Sequence, residues 1–168
     1  MLVVSNTSPI LNLAIIGRTG LLRSQFPEIL IPPVVFEELK TQSNRPGTSE
    51  INEGLNSGLF KTTSLVNSSL YQILVRDLDT GEAQAIALAV ECILLDEKEG
   101  RKHAKKLGLK VTGILGILLE AYFRHEISSL STIIEDLRQK AGFRLSEDVV
   151  RQGKRELSSD ARPIQGMR

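Results

Sequence analysis

Aromatic side chains make up only 4% of this 168-residue chain, and tryptophan is absent. A platform of stacked rings for single-stranded bases is therefore not expected, and the core must be built from Leu, Ile, Val and Ala. Cysteine occurs once, as Cys92 in an apolar run. That excludes a disulfide within the chain and a cysteine-rich metal site, and fits a reducing compartment. The two histidines, His103 and His125, have no partner at zinc-ligand spacing. No apolar run approaches the ~20 residues needed to span a bilayer. The N-terminus lacks the basic region and cleavage site of a signal peptide. A cytoplasmic protein without membrane association is expected. Neither sign of charge dominates, with 21 Lys and Arg against 20 Asp and Glu.

The charges are unevenly spread. Residues 61–97 carry Lys61 and Arg76 against Asp77, Asp79, Glu82, Glu91, Asp96 and Glu97. Residues 98–110 carry Lys98, Arg101, Lys102, Lys105, Lys106 and Lys110 against Glu99 alone. An acidic centre beside a basic helix can hold cations while attracting a polyanion. A solvated helix face is the plainer alternative for the basic run.

Short apolar runs alternate with longer amphipathic ones. Strands are expected at 2–4, 29–31, 59–63, 93–95 and 109–111. Helices are expected from Ser8-Pro9 to Ile16, at 19–26, after Pro32-Pro33, and at 49–57, 68–76, 80–91, 98–107, 113–124, 130–141 and 146–156. The polar stretch 41–50 reads as a loop and a candidate flap. One domain over residues 1–156 is expected, with a frayed tail at 157–168. Alternating strands and helices imply an α/β fold whose parallel sheet is covered on both faces. Such sheets place their sites beyond the carboxyl ends of the strands, which points to Asn6, Asp96 and Thr112.

Two further carboxylates stand out by helix face. Glu38 borders the Val35–Leu39 stripe and is expected to turn toward the protein body, whereas Glu37 points away. Glu82 precedes a stripe of Ala83, Ile86, Ala87 and Val90. Structural roles stay open for each. Asn6 or Ser8 can cap the first helix, Asp79 and Glu82 fit a capping box, Glu38 can pair with an arginine, and Asp96 can cap helix 98–107. Clustered carboxylates without His or Cys suit Mg²⁺ or Mn²⁺, and cations so held assist in-line displacement at phosphorus. A phosphoacceptor domain built around Asp96 is disfavoured, because no acidic pair follows the first strand.

Several stretches together resemble the PIN-domain family, and within it the VapC-like, toxin-related branch. They are Val4-Ser5-Asn6-Thr7-Ser8-Pro9, Ile31-Pro32-Pro33 with Glu37-Glu38-Leu39, Gly81-Glu82-Ala83 with Ala85-Ile86-Ala87-Leu88-Ala89, Leu94-Leu95-Asp96-Glu97 with Gly100-Arg101, and Val111-Thr112-Gly113 with Leu115-Gly116-Ile117-Leu118. The resemblance spans roughly residues 2–156. It implies a three-layer α/β/α sandwich with a central parallel sheet and a Mg²⁺- or Mn²⁺-dependent ribonuclease. The implied ligand positions are Asn6, Glu38, Glu82 and Asp96, with Glu97 as substitute or second ligand and Ser8 assisting. Arg101, Lys102, Lys105 and Lys106 are the expected phosphate-binding residues. A homodimer and a small antitoxin encoded nearby are the implied partners, besides RNA. The departure is Asn6, where active members generally carry Asp. An amide can ligate through oxygen but brings no charge, which weakens the hold on Mg²⁺.

Overall fold

In a computed structural model, which describes residues 1–41, 44–64 and 68–158, five short strands alternate with helices. The order is β1 (Val3–Ser5), α1 (Thr7–Ile15), α2 (Gly20–Gln25), β2 (Ile29–Ile31), α3 (Pro33–Lys40), α4 (Thr48–Asn56), β3 (Phe60–Thr62) and α5 (Ser68–Leu74). Then follow α6 (Thr80–Leu88), β4 (Cys92–Leu94), α7 (Lys98–Lys106), β5 (Lys110–Thr112), α8 (Ile114–Phe123), α9 (Leu130–Lys140) and α10 (Glu147–Ser158). The strands pair in parallel in the order β3-β2-β1-β4-β5. The chain winds outward from β1 through β2 to β3, then crosses back to β4 and β5. The winding direction reverses between β1 and β4, where Ser5 pairs with Leu94. In an open α/β sheet that reversal opens a crevice at the carboxyl edge, where ligands bind.

Strand parity divides the core in two. Val3, Ile29, Ile31, Cys92 and Leu94 pack on one face with side chains of α1, α2, α3, α4, α8 and α9. Val4, Ile93 and Leu95 pack on the other with side chains of α5, α6 and α7. Successive strand side chains point to opposite faces, so the three inner strands β1, β2 and β4 are apolar at every position but Ser5, and both faces are covered. This is the expected three-layer α/β/α sandwich.

Three expectations need correction. Helix α6 stops at Leu88, where 91 was expected. Ala89 has extended backbone, with φ −69° and ψ 134°, and Val90 is 72% exposed rather than on the inner stripe. The apolar run 85–90 gives no sequence signal for the break; the turn into β4 imposes it. The polar loop is shorter than 41–50, because α4 begins at Thr48 after Gly47 at φ +92°. A methyl group on Gly47 would lie 2.9 Å from the Ile15 amide nitrogen, so both conformation and space demand glycine there. Residues 42 and 43 of that candidate flap lie outside the described residues. At the other end, α10 runs from Glu147 to Ser158, where 146–156 was expected; 159–168 of the expected tail lie outside the described residues.

Candidate functional site

Asn6 directly follows β1 and takes the side of the sheet occupied by Val4, toward α6 and α7. Its N–H extends the ladder by donating to the Leu94 carbonyl at 3.1 Å. It stands at the cap position of α1, yet its side chain makes no cap bond. The capping alternative therefore falls for Asn6. The buried side chain instead faces the crevice, with Nδ2 3.5 Å from Glu97 Oε2 and Oδ1 toward Gly81. Ser8 also turns away from capping, and its Oγ accepts from Asn12 Nδ2 at 3.1 Å, one turn along α1.

At the start of α6 the capping box is formed. Glu82 N–H donates to Asp79 Oδ1 at 2.8 Å, and Asp79 N–H donates to Glu82 Oε2 at 3.4 Å. The capping role uses only one oxygen of Glu82. The other, Oε1, is buried without a hydrogen-bond partner, and the residue is 6% exposed. Burial first, then the charge of Asp79, pushes the Glu82 carboxyl up to about 7; the Asp79 N–H opposes the rise and Glu97 adds to it. Gly81 leaves a gap beside it. A methyl group there would sit 3.1 Å from Asn6 Oδ1, 3.4 Å from Asp79 Oδ1 and 3.5 Å from Glu38 Oε1. Oxygens from three separate elements thus face one small space. Gly100 makes a second close approach, since a methyl group there would meet Glu82 Oε1 at 2.8 Å.

Glu38 reaches this space from α3, although not as expected. It is exposed rather than turned into the body, because α3 packs between α1 and α6 and this flank opens on the crevice. Its partner is a hydroxyl, not an arginine: Thr7 Oγ1 donates to Glu38 Oε2.

Asp96 and Glu97 diverge. Asp96 Oδ1 accepts the Ile114 N–H at 2.9 Å, at the first turn of α8, so it does not cap α7. Asp96 Oδ2 is buried without a partner. Burial chiefly raises this carboxyl to about 6, against the pull of the Ile114 N–H and Arg101 and with help from Glu97. Glu97 holds the cap position of α7 without a side-chain cap bond and lies on the Asn6 side. Among the described residues, no three His, Cys, Asp or Glu side chains converge closely enough to chelate an ion.

Of the expected phosphate-binding residues, Arg101 is engaged in the fold, with Nη1 donating to the Leu95 carbonyl at 2.7 Å. Lys102 is exposed and 3.8 Å from Glu99. Lys105 and Lys106 are exposed in the last turn of α7. Since α7 starts at the crevice and rises ~1.5 Å per residue, they stand roughly 10–12 Å further from it than Lys98.

A family described as PIN domain matches residues 2–159. The chain belongs to the PIN-domain family. No curated protein and no solved structure matches it. PIN domains are generally nucleases that bind nucleic acid and typically use divalent metals.

The side chains of this PIN domain fit such a cation by chemistry. The crevice offers only oxygen donors, the type that Mg²⁺ and Mn²⁺ prefer, and Glu82 Oε1 is a buried carboxylate oxygen lacking a partner. Sequence reasoning missed Thr7 as the partner of Glu38, and the close approaches at Gly81, Gly100 and Gly113. The glycines stand within the quoted stretches, but only coordinates show what a side chain would strike. No helix among the described residues is long and apolar enough to cross a membrane.

Proposed function

We propose that this PIN domain is a Mg²⁺- or Mn²⁺-dependent ribonuclease of the toxin type, VapC-like, which hydrolyses RNA phosphodiester bonds at the carboxyl edge between β1 and β4. One observation carries the reading: a buried glutamate, Glu82, keeps an oxygen without a partner in a crevice otherwise lined by oxygen donors. Leaving such a group unmatched costs about 1–3 kcal/mol or more, a cost that a bound cation offsets. Glu38, Glu82 and one carboxylate of the consecutive Asp96-Glu97 pair supply the charge, and Asn6 supplies an amide oxygen. The metal would supply activation of water and stabilisation of charge at phosphorus. Ser8, two residues beyond Asn6, supports the first turn beside it. The basic side chains of α7 hold phosphates leading to the crevice.

In this reading the protein acts in the cytoplasm as a homodimer and is restrained by a small antitoxin; these partners rest on the family resemblance. The test is cleavage of a mixed RNA pool with Mn²⁺ by wild type and Glu82→Gln. Metal-dependent cleavage by wild type, reduced at least 100-fold in the variant, is expected. Equal cleavage by both, or none at any metal concentration, overturns it.

Asn6 supports a second reading, a catalytically degenerate module that binds RNA or an antitoxin without cutting. Its amide turns toward Glu97, in the place where a carboxylate would need a cation. Retained RNA binding without cleavage at any Mn²⁺ concentration is the outcome that selects this reading.

A further inference from the structure

Asp96 and Glu97 are consecutive acids at the end of one strand, and the structure gives them opposite environments. The alternation of β4 continues past its last residue. Leu94 packs on the α8 side and Leu95 on the α6–α7 side; by the same parity Asp96 belongs with α8 and Glu97 with α6 and α7. The contacts agree. Asp96 Oδ1 holds the Ile114 N–H at 2.9 Å. Gly113 is pressed against that carboxylate so closely that a methyl group would lie 2.3 Å from Oδ1 and 3.1 Å from Arg101 Nη1. Arg101 in turn ties the first turn of α7 to the Leu95 carbonyl at 2.7 Å. Glu97, between these two anchors, turns Oε2 toward Asn6 on the crevice side.

We infer that Asp96 is a positioning residue, which clamps the β4–α7 connection to the start of α8, and that Glu97 is the carboxylate this clamp presents to the cation. The division of labour rests on the proposed metal site and deepens it. Asp96 has one oxygen committed to a backbone N–H, and the other, Oδ2, is buried without a hydrogen-bond partner and makes none to Asn6 or Glu82. The clamp needs an acceptor oxygen at position 96 but no charge; the ligand position at 97 needs the charge.

Mn²⁺ affinity by titration calorimetry, together with exchange of the Ile114 amide proton by NMR in EDTA, separates the two roles. Glu97→Gln is expected to weaken Mn²⁺ binding at least 10-fold and leave Ile114 exchange unchanged. Asp96→Asn keeps an acceptor oxygen and is expected to stay within about threefold of wild type in Mn²⁺ affinity. Asp96→Ala is expected to speed Ile114 exchange at least 10-fold and to weaken Mn²⁺ binding, with Asp96→Asn restoring both. The inference is overturned if Asp96→Asn loses as much affinity as Glu97→Gln, or if Asp96→Ala leaves Ile114 exchange unchanged. Absence of Mn²⁺ binding by wild type overturns the metal-site reading and the role of Glu97 with it, while the exchange measurement still decides the clamp.

Discussion

Across the reversal point of the sheet, the Asn6 amide faces Glu97, Nδ2 to Oε2, at 3.5 Å. The opposite orientation of the amide would set its oxygen against that carboxylate. An Asn here gives the metal-free crevice an internal donor, and an Asp would replace attraction by repulsion. Asn6→Asp is therefore expected to destabilise the protein in EDTA by about 1–3 kcal/mol. That corresponds to a fall of roughly 2–12 °C in melting temperature. Added Mn²⁺ should reverse the order, because four carboxylates hold the ion better than three. Thermal melts of both proteins, with chelator and with Mn²⁺, check the crossover; a melting temperature in EDTA equal to wild type counts against the amide as donor.

The raised carboxyls make metal-free stability depend on pH. Glu82 lies near 7 in the folded chain against an ordinary 4.5, and Asp96 near 6 against 3.8, burial being the chief cause in both. A carboxyl whose folded value is raised holds its proton longer when folded. Its contribution is full below the ordinary value and is lost as pH rises through the folded value. Metal-free protein should thus melt at a higher temperature at pH 5.5 than at pH 7.5. Glu82→Gln should flatten most of that slope, since the amide does not titrate. An unchanged slope in the variant would place the pH dependence elsewhere.

Much of this architecture was legible in the sequence, because it rests on local signals. Val3-Val4, Ile29–Ile31 and Ile93-Leu94 are apolar runs too short for helices, and Asp79 with Glu82 has the spacing of a capping box. What was not legible depended on distant packing. The inward face expected for Glu38 followed from helical periodicity, which knows nothing of the crevice beside α3. The break after Leu88 falls within an apolar run without Gly or Pro. The separation of Asp96 from Glu97 could be read only once Leu94 and Leu95 were assigned to their faces, since a register error of one residue exchanges the two sides.

Gly81 keeps open the space shared by Asn6, Asp79 and Glu38. Alanine there improves helix propensity by up to about 1 kcal/mol, while its methyl group, 3.1 Å from Asn6 Oδ1, crowds the donors. Gly81→Ala is expected to leave the melting temperature in EDTA within a few degrees of wild type and to weaken Mn²⁺ binding at least 10-fold. Calorimetry and melting on the same sample test both halves. Undiminished Mn²⁺ affinity would mean that the ion does not use this gap.

The basic residues of α7 form a stripe rather than a scattered face. Lys98, Lys102 and the adjacent pair Lys105-Lys106 are exposed and follow one another at about one helical turn, whereas Gly100 and Ala104 are buried and Arg101 is bound to the Leu95 carbonyl. The stripe starts at the crevice and extends roughly 12 Å along the helix. With no Phe, Tyr or Trp in α7, and with His103 turned to Asp77 at 3.8 Å, its grip on RNA should depend on phosphate charge and not on base identity. Each of Lys98→Ala, Lys102→Ala, Lys105→Ala and Lys106→Ala should weaken binding similarly for unrelated single-stranded RNAs. Each should also lower the slope of log K against log salt by about 0.7. Arg101→Ala should instead lower the melting temperature, because it removes the tie between α7 and the end of β4. Filter binding over a range of salt, for the five variants and two RNAs of different sequence, separates these effects. A lysine variant that weakens one RNA and spares the other would show that α7 reads bases.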